Sequence, residues 1–137
     1  MKPFKKKNVV GVTCPILPLS PKAKDFVLYW CYNLFIEKSI KSKKAQIPGI
    51  CCAYRRKSFE KLGGFNENLD TLEDLDFSKK IAKLGKIVMV DTTLVLTSHR
   101  RIEKWGRFNS IKKYLKLYLN YLIRGKVMST KEYKPIR

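Results

Sequence analysis

The stretch Leu62-Gly63-Gly64-Phe65-Asn66-Glu67-Asn68-Leu69, followed by Glu73-Asp74-Leu75-Asp76, most narrows what this chain can fold into. Gly63 and Gly64 can take positive φ without a Cβ penalty, so they permit a sharp exit from the apolar, helix-like run before them. Glu73, Asp74 and Asp76 fall in the first turn of the next segment, where the partial positive charge of a helix N-terminus favours anions. The pattern predicts helix, tight glycine turn, helix. It also plants carboxylates together in a chain where Lys and Arg number 30 against 11 Asp and Glu, a formal charge of +19. Helix capping accounts for such an island. So does a carboxylate that acts on a substrate hydroxyl.

The flanking segments read as alternating strands and helices. Asn8 to Thr13 is strand-like, with Val9, Val10 and Val12 around Gly11. Pro15, Pro18 and Pro21 then break regular structure, and Ser20 can cap a helix with Pro21 in its first position. That helix is expected to run to about Ser39. Its apolar face, from Phe26 to Ile36 with Asn33 as the interruption, is too wide for an ordinary surface helix; it is either well buried or in contact with lipid. Lys38 to Lys44 reads as a basic loop, Ile47 to Tyr54 as a strand, Ser58 to Leu62 as a short helix and Leu72 to Leu84 as a longer one ended by Gly85. Ile87 to Val90 and Leu94 to Thr97 read as strands, the second buried in type.

From Ile102 the apolar positions Phe108, Ile111, Leu115, Tyr118, Leu119 and Leu122 recur at three- and four-residue spacing, while Lys112, Lys113, Lys116 and Arg124 fall elsewhere. This is a basic amphipathic helix, at ~3.6 residues per turn. The tail after Gly125 has no periodicity and is expected to fray. Residues 1–101 therefore read as one α/β unit and residues 102–137 as an amphipathic helix and tail.

At 137 residues, 45% of them apolar, the chain suits one modest packed domain. The positive excess predicts attraction to something anionic: nucleic acid, an acidic membrane face or a phosphorylated substrate. The four cysteines, Cys14, Cys31, Cys51 and Cys52, form no Cys-x-x-Cys pair and accompany one histidine, so zinc-ligand spacing is absent. With no secretory leader pattern at the N-terminus, a reducing, cytoplasmic setting with free thiols is expected. Cys51 and Cys52, adjacent on a strand, would point to opposite faces. No run of about 20 apolar residues is present to span a bilayer.

The order of these pieces resembles a known family. Ile47-Pro48-Gly49-Ile50 leads through Tyr54-Arg55-Arg56-Lys57-Ser58-Phe59 to the glycine pair and the Glu-Asp motif. Gly85-Lys86-Ile87-Val88-Met89-Val90 and Thr97-Ser98-His99-Arg100-Arg101 follow. Over roughly residues 8 to 108 this resembles the C-terminal, acceptor-side half of family 2 glycosyltransferases, which have the GT-A fold. The resemblance implies a partial GT-A-type α/β domain with a mixed sheet flanked by helices. It implies an inverting transfer of sugar from a nucleotide-sugar to an acceptor hydroxyl, in cell-surface polysaccharide or glycolipid synthesis.

The resemblance also assigns roles. Asp74 falls on the family's catalytic base, which takes the acceptor proton as the hydroxyl attacks; Glu73 would orient it or touch the acceptor. Pro48-Gly49 falls where the family lines its acceptor site, and a glycine lets backbone approach a ligand closely. Arg100 and Arg101 are candidate contacts for a leaving diphosphate, since guanidinium groups bind phosphate oxygens bidentately. The family's Gln-x-x-Arg-Trp element is replaced here by Thr-Ser-His-Arg-Arg. His99 is a candidate metal ligand, though a lone histidine is more often structural.

The family's donor half ends in an Asp-x-Asp element that holds Mg²⁺ or Mn²⁺ on the diphosphate. No such element precedes the first strand; Asp74-Leu75-Asp76 lies inside the acceptor-side motif and does not read as that metal site. The expectation is half of an enzyme, inactive alone: a truncated product, one piece of a split enzyme or an excised segment. Nucleotide-sugar and divalent metal are expected only with a donor-binding half. The helix Ile102 to Arg124 suits the surface of an anionic membrane, which would place the protein at the inner face. The rival reading is a non-catalytic basic module that binds such a membrane or nucleic acid. Against nucleic acid, the aromatics sit in apolar helical faces rather than interleaved with arginine.

Overall fold

The computed structural model describes residues 2–69 and 71–124. A 3₁₀ turn at Lys2–Lys5 leads into β1 (Val9–Thr13) and β2 (Ile16–Leu19), then α1 (Ala23–Lys41). β3 (Cys52–Tyr54), α2 (Arg56–Lys61), α3 (Glu73–Ile81), β4 (Lys86–Met89) and β5 (Val95–Ser98) follow, and α4 (Arg100–Trp105) and α5 (Arg107–Arg124) close the described chain. The result is an α/β fold. Its larger sheet is mixed, in the order β3-β1-β4, with β1 antiparallel to β3 and parallel to β4. A two-stranded parallel ribbon pairs β2 with β5.

The Gly-Gly turn forms as its sequence predicts. Gly63 and Gly64 both adopt left-handed φ, at 75° and 77°. Their amides donate to the carbonyls of Glu60 and Phe59, which closes α2. The turn throws Phe65 back onto the core. Phe59, Phe65 and Tyr54 all pack on Phe77, with ring centroids 4.8, 5.1 and 4.9 Å from it. Phe77 is wholly buried with Val10, Ala45, Ile47, Ile81 and Ile87. This aromatic cluster seats α3 against the mixed sheet.

Several elements depart from the expected bounds. β2 forms across Pro18 because its one ladder partner is β5, and an edge strand tolerates a proline that a central strand would not. α1 starts at Ala23 rather than at Pro21, with no side-chain cap. Ser20 Oγ instead donates to Asp25 Oδ2 at 2.5 Å. Asn33, the polar interruption of the α1 face, faces β2: its amide brackets Ile16, accepting from N and donating to O at 3.0 and 2.8 Å. The expected strand from Ile47 shortens to Cys52–Tyr54, because residues 45–49 leave the ladder and bond to α3. Leu94 and Leu96 are exposed, contrary to the buried reading of β5. The single C-terminal helix is split at Gly106 into α4 and α5. The fraying expected after Gly125 lies outside the described residues.

Candidate active site

α3 carries Asp74 and Ser78 four residues apart, on one face of the helix. Both serve the loop before β3. Ser78 Oγ accepts from Ile47 N at 3.1 Å and lies 2.9 Å from Ala45 O, to which its hydroxyl can donate. One turn earlier, Asp74 Oδ2 accepts from Gly49 N at 2.5 Å, and Oδ1 accepts from Leu75 N at 2.7 Å. A Cβ built on Gly49 would stand 3.2 Å from Asp74 Oδ2, so the close approach of loop to carboxylate suits a glycine. The structure thus brings together Gly49 and Asp74, which the sequence marked separately.

Asp74 remains partly open to solvent, and Glu73 beside it is exposed. Each carboxylate oxygen holding one amide keeps a further lone pair for another donor. Immediately upstream, Leu72 is left-handed at φ 64°, a conformation that costs a non-glycine residue about 1–2 kcal/mol. Strain of this kind, placed at the first turn of α3, marks a point where the backbone is held by its surroundings.

Two tyrosines and a thiol respond to the charge of Asp74. The Tyr32 hydroxyl is raised above the ordinary tyrosine range by burial first and by the charge of Asp74 second. Tyr54 and Cys52 are raised in the same way, burial again leading, with Asp74 contributing to both. At the prevailing pH they are neutral groups beside an ionisable carboxylate. Neither Tyr32 nor Ser78 stands out in the sequence as a site residue. The signal available for Ser78 is its four-residue spacing from Asp74; Tyr32 arrives from α1 through tertiary packing alone.

His99, Arg100 and Arg101 stand at the start of α4. His99 is buried, with Nε2 2.9 Å from Glu103 Oε1. A His–Glu pair supplies two donors, and among the described residues no three of His, Cys, Asp and Glu converge to hold a metal. Arg100 is exposed. Arg101 Nη1 donates to the Tyr114 hydroxyl at 3.3 Å.

Cysteine placement adds one contact. Cys14 Sγ and Cys51 Sγ lie 2.6 Å apart as free thiols, where β1 ends and the loop enters β3. Burial, then the neighbouring Cys51, push the Cys14 thiol up to about 12. Cys31 is exposed on α1.

No known protein family, curated protein or solved structure matches the chain.

Proposed function

We propose that this chain is the acceptor-side half of an inverting, nucleotide-sugar-dependent sugar transferase of GT-A type, acting in cell-surface polysaccharide or glycolipid synthesis. The observation that carries the reading is the Asp74 carboxylate. It is held by two backbone amides, on a helix seated by the aromatic core, yet it stays partly open. A general base needs this combination of fixed position and free lone pair.

In the proposed reaction the acceptor hydroxyl lies against the Gly49 backbone and Asp74. Asp74 takes its proton as the oxygen attacks the anomeric carbon, and the nucleoside diphosphate leaves from the opposite face. Glu73, exposed one residue before, contacts the acceptor or orients Asp74. Tyr32 supplies a neutral hydroxyl to the acceptor. Arg100 and Arg101 contact the departing diphosphate. Mg²⁺ or Mn²⁺ and the donor nucleotide would be held by a separate donor-binding half that carries its own Asp-x-Asp; His99, with Nε2 2.9 Å from Glu103 Oε1, is the remaining local candidate for a metal contact.

The test has two arms. Calorimetry of the chain alone against UDP-, GDP- and dTDP-sugars with Mn²⁺ is expected to show no binding. The same chain joined to a donor-binding GT-A half is expected to transfer sugar to a hydroxyl acceptor. Micromolar donor binding by the chain alone would contradict the division into halves.

A further inference from the structure

α5 is mounted in an unusual orientation. A surface helix ordinarily turns its apolar stripe toward the core and its polar face to water. Here the polar and tyrosine side faces the body. Arg107 Nε pairs with the buried Asp25 Oδ1 at 2.6 Å. The Tyr118 hydroxyl accepts from Gln46 Nε2, and the Tyr121 hydroxyl donates to Asp76 Oδ1, each at 2.7 Å. Lys79 of α3 lies over both tyrosine rings, 5.1 and 4.7 Å from their centroids. These contacts, spread along the helix, fix its rotation.

The opposite stripe is therefore turned out. Phe108 is 79% exposed, Ile111 49%, Leu115 54%, Leu119 46% and Leu122 54%. They follow one another at three- and four-residue spacing, so they form a single band along the helix. Lys112 and Lys116 sit one position beyond Ile111 and Leu115 and flank that band; both are exposed. Lys113 lies 4.3 Å from the centroid of the Trp105 ring, which places an aromatic and a cation together at the helix start. No helix among the described residues is long and apolar enough to cross a membrane. A band of leucines edged by lysines, on a chain of formal charge +19, matches a surface that is apolar below and negative above.

We infer that α5 lies flat on an anionic lipid bilayer, with the band from Phe108 to Leu122 in the acyl boundary and Lys112 and Lys116 among the headgroups. The charge commits the occupant to a lipid surface with acidic headgroups. A second copy of a chain this basic would bring like charges together at the same band. The membrane face stands whether or not Asp74 is a base, because it uses none of the candidate active-site side chains.

The experiment is flotation of the full chain with phosphatidylcholine vesicles, with and without phosphatidylserine, across a salt series. The chain is expected to float with phosphatidylserine vesicles and to be released as salt rises. The double variant Leu115→Glu, Leu119→Glu should bind at least tenfold more weakly, and Leu115→Met, Leu119→Met should bind like the parent. Lys112→Glu should weaken binding to phosphatidylserine vesicles about fivefold or more, since each cation near such a surface contributes about a fivefold gain in partition. Thermal midpoints of all variants should match the parent, because the altered side chains are exposed. Equal flotation by the parent and the Glu double variant would overturn the inference. So would a parent that stays with the free protein and forms a dimer abolished by the Glu pair, which would give the band to a second copy. Retention on nucleic acid with no vesicle binding would overturn it as well.

Discussion

At the residue scale, two aspartates show how burial and hydrogen bonding divide the work. Asp25 is held below the ordinary aspartate value of 3.8, first by the Ser20 hydroxyl and then, against the opposing effect of burial, by Arg107. For Asp76 burial pushes upward and is the largest single influence, yet Lys80 and Tyr121 together outweigh it and the carboxyl is also lowered. A carboxyl whose folded value is depressed contributes stability in full above its unfolded value. That contribution fades as the pH falls below about 3.8 and through the depressed folded value. The thermal midpoint is therefore expected to drop over that acid interval. Asp25→Asn should lower the midpoint at neutral pH and flatten the acid fall, which a series of melts from pH 2 to 7 checks, at about one-unit steps. The cysteines give a second residue-scale expectation. Timed maleimide labelling of the native chain should modify the exposed Cys31 well before the buried Cys14, whose thiol is pushed up to about 12. Equal rates would contradict the burial of Cys14.

At the element scale, the loop of residues 45–49 is held to α3 by Ser78 and Asp74. Gly49 is not in the left-handed region, so alanine there carries no torsional strain, but its Cβ would press within 3.2 Å of Asp74 Oδ2. The Asp74 carboxyl, held by the Gly49 and Leu75 amides, would have to shift by a few tenths of an ångström. Gly49→Ala should therefore cost no more than about 1 kcal/mol of unfolding free energy. In the proposed transferase, with the chain joined to a donor-binding half, it should lower turnover about tenfold, since small displacements of a reacting group are costly. An unchanged turnover would separate Gly49 from the chemistry. Phe77→Ala is the contrasting case: it removes the wholly buried ring at the centre of the aromatic cluster, and equilibrium unfolding should register a loss of about 3–5 kcal/mol.

The same elements show what could be read before folding. The Gly63-Gly64 turn was legible because its cause is local: positive φ and the amides of the turn itself. Asn33 stood out as an anomaly in an apolar face, but its partner Ile16 belongs to another element and left no mark nearby. β2 was hidden because its proline argued against a strand, and the partner that makes it an edge ribbon, β5, is remote in sequence. Asp74 and Gly49 were each legible as candidates; their mutual bond was not, because it depends on how α3 sits on the Phe77 cluster. For α5, periodicity separates two faces without saying which one meets the body. Arg107, Tyr118 and Tyr121 settle that through partners on three other segments.

At the scale of the whole molecule, the aromatic cluster, the α3 clamp and the tethered α5 place the partly open carboxylate and the outward leucine band on one framework. In the proposed reaction Asp74 removes a proton from an acceptor hydroxyl, beyond its part in holding Gly49. Asparagine separates the two roles. Its carbonyl oxygen can still accept from Gly49 N, so Asp74→Asn should cost only about 1–2 kcal/mol of stability through loss of charge assistance. Its amide cannot take a proton. The deciding measurement is steady-state sugar transfer by the chain joined to a donor-binding half, comparing the parent with Asp74→Asn beside their thermal midpoints. Turnover is expected to fall by about 10²-fold or more, with donor affinity unchanged and the midpoint lowered by only a few degrees. Full turnover in Asp74→Asn, or a loss of activity that only follows a collapsed midpoint, would contradict the proposed reaction.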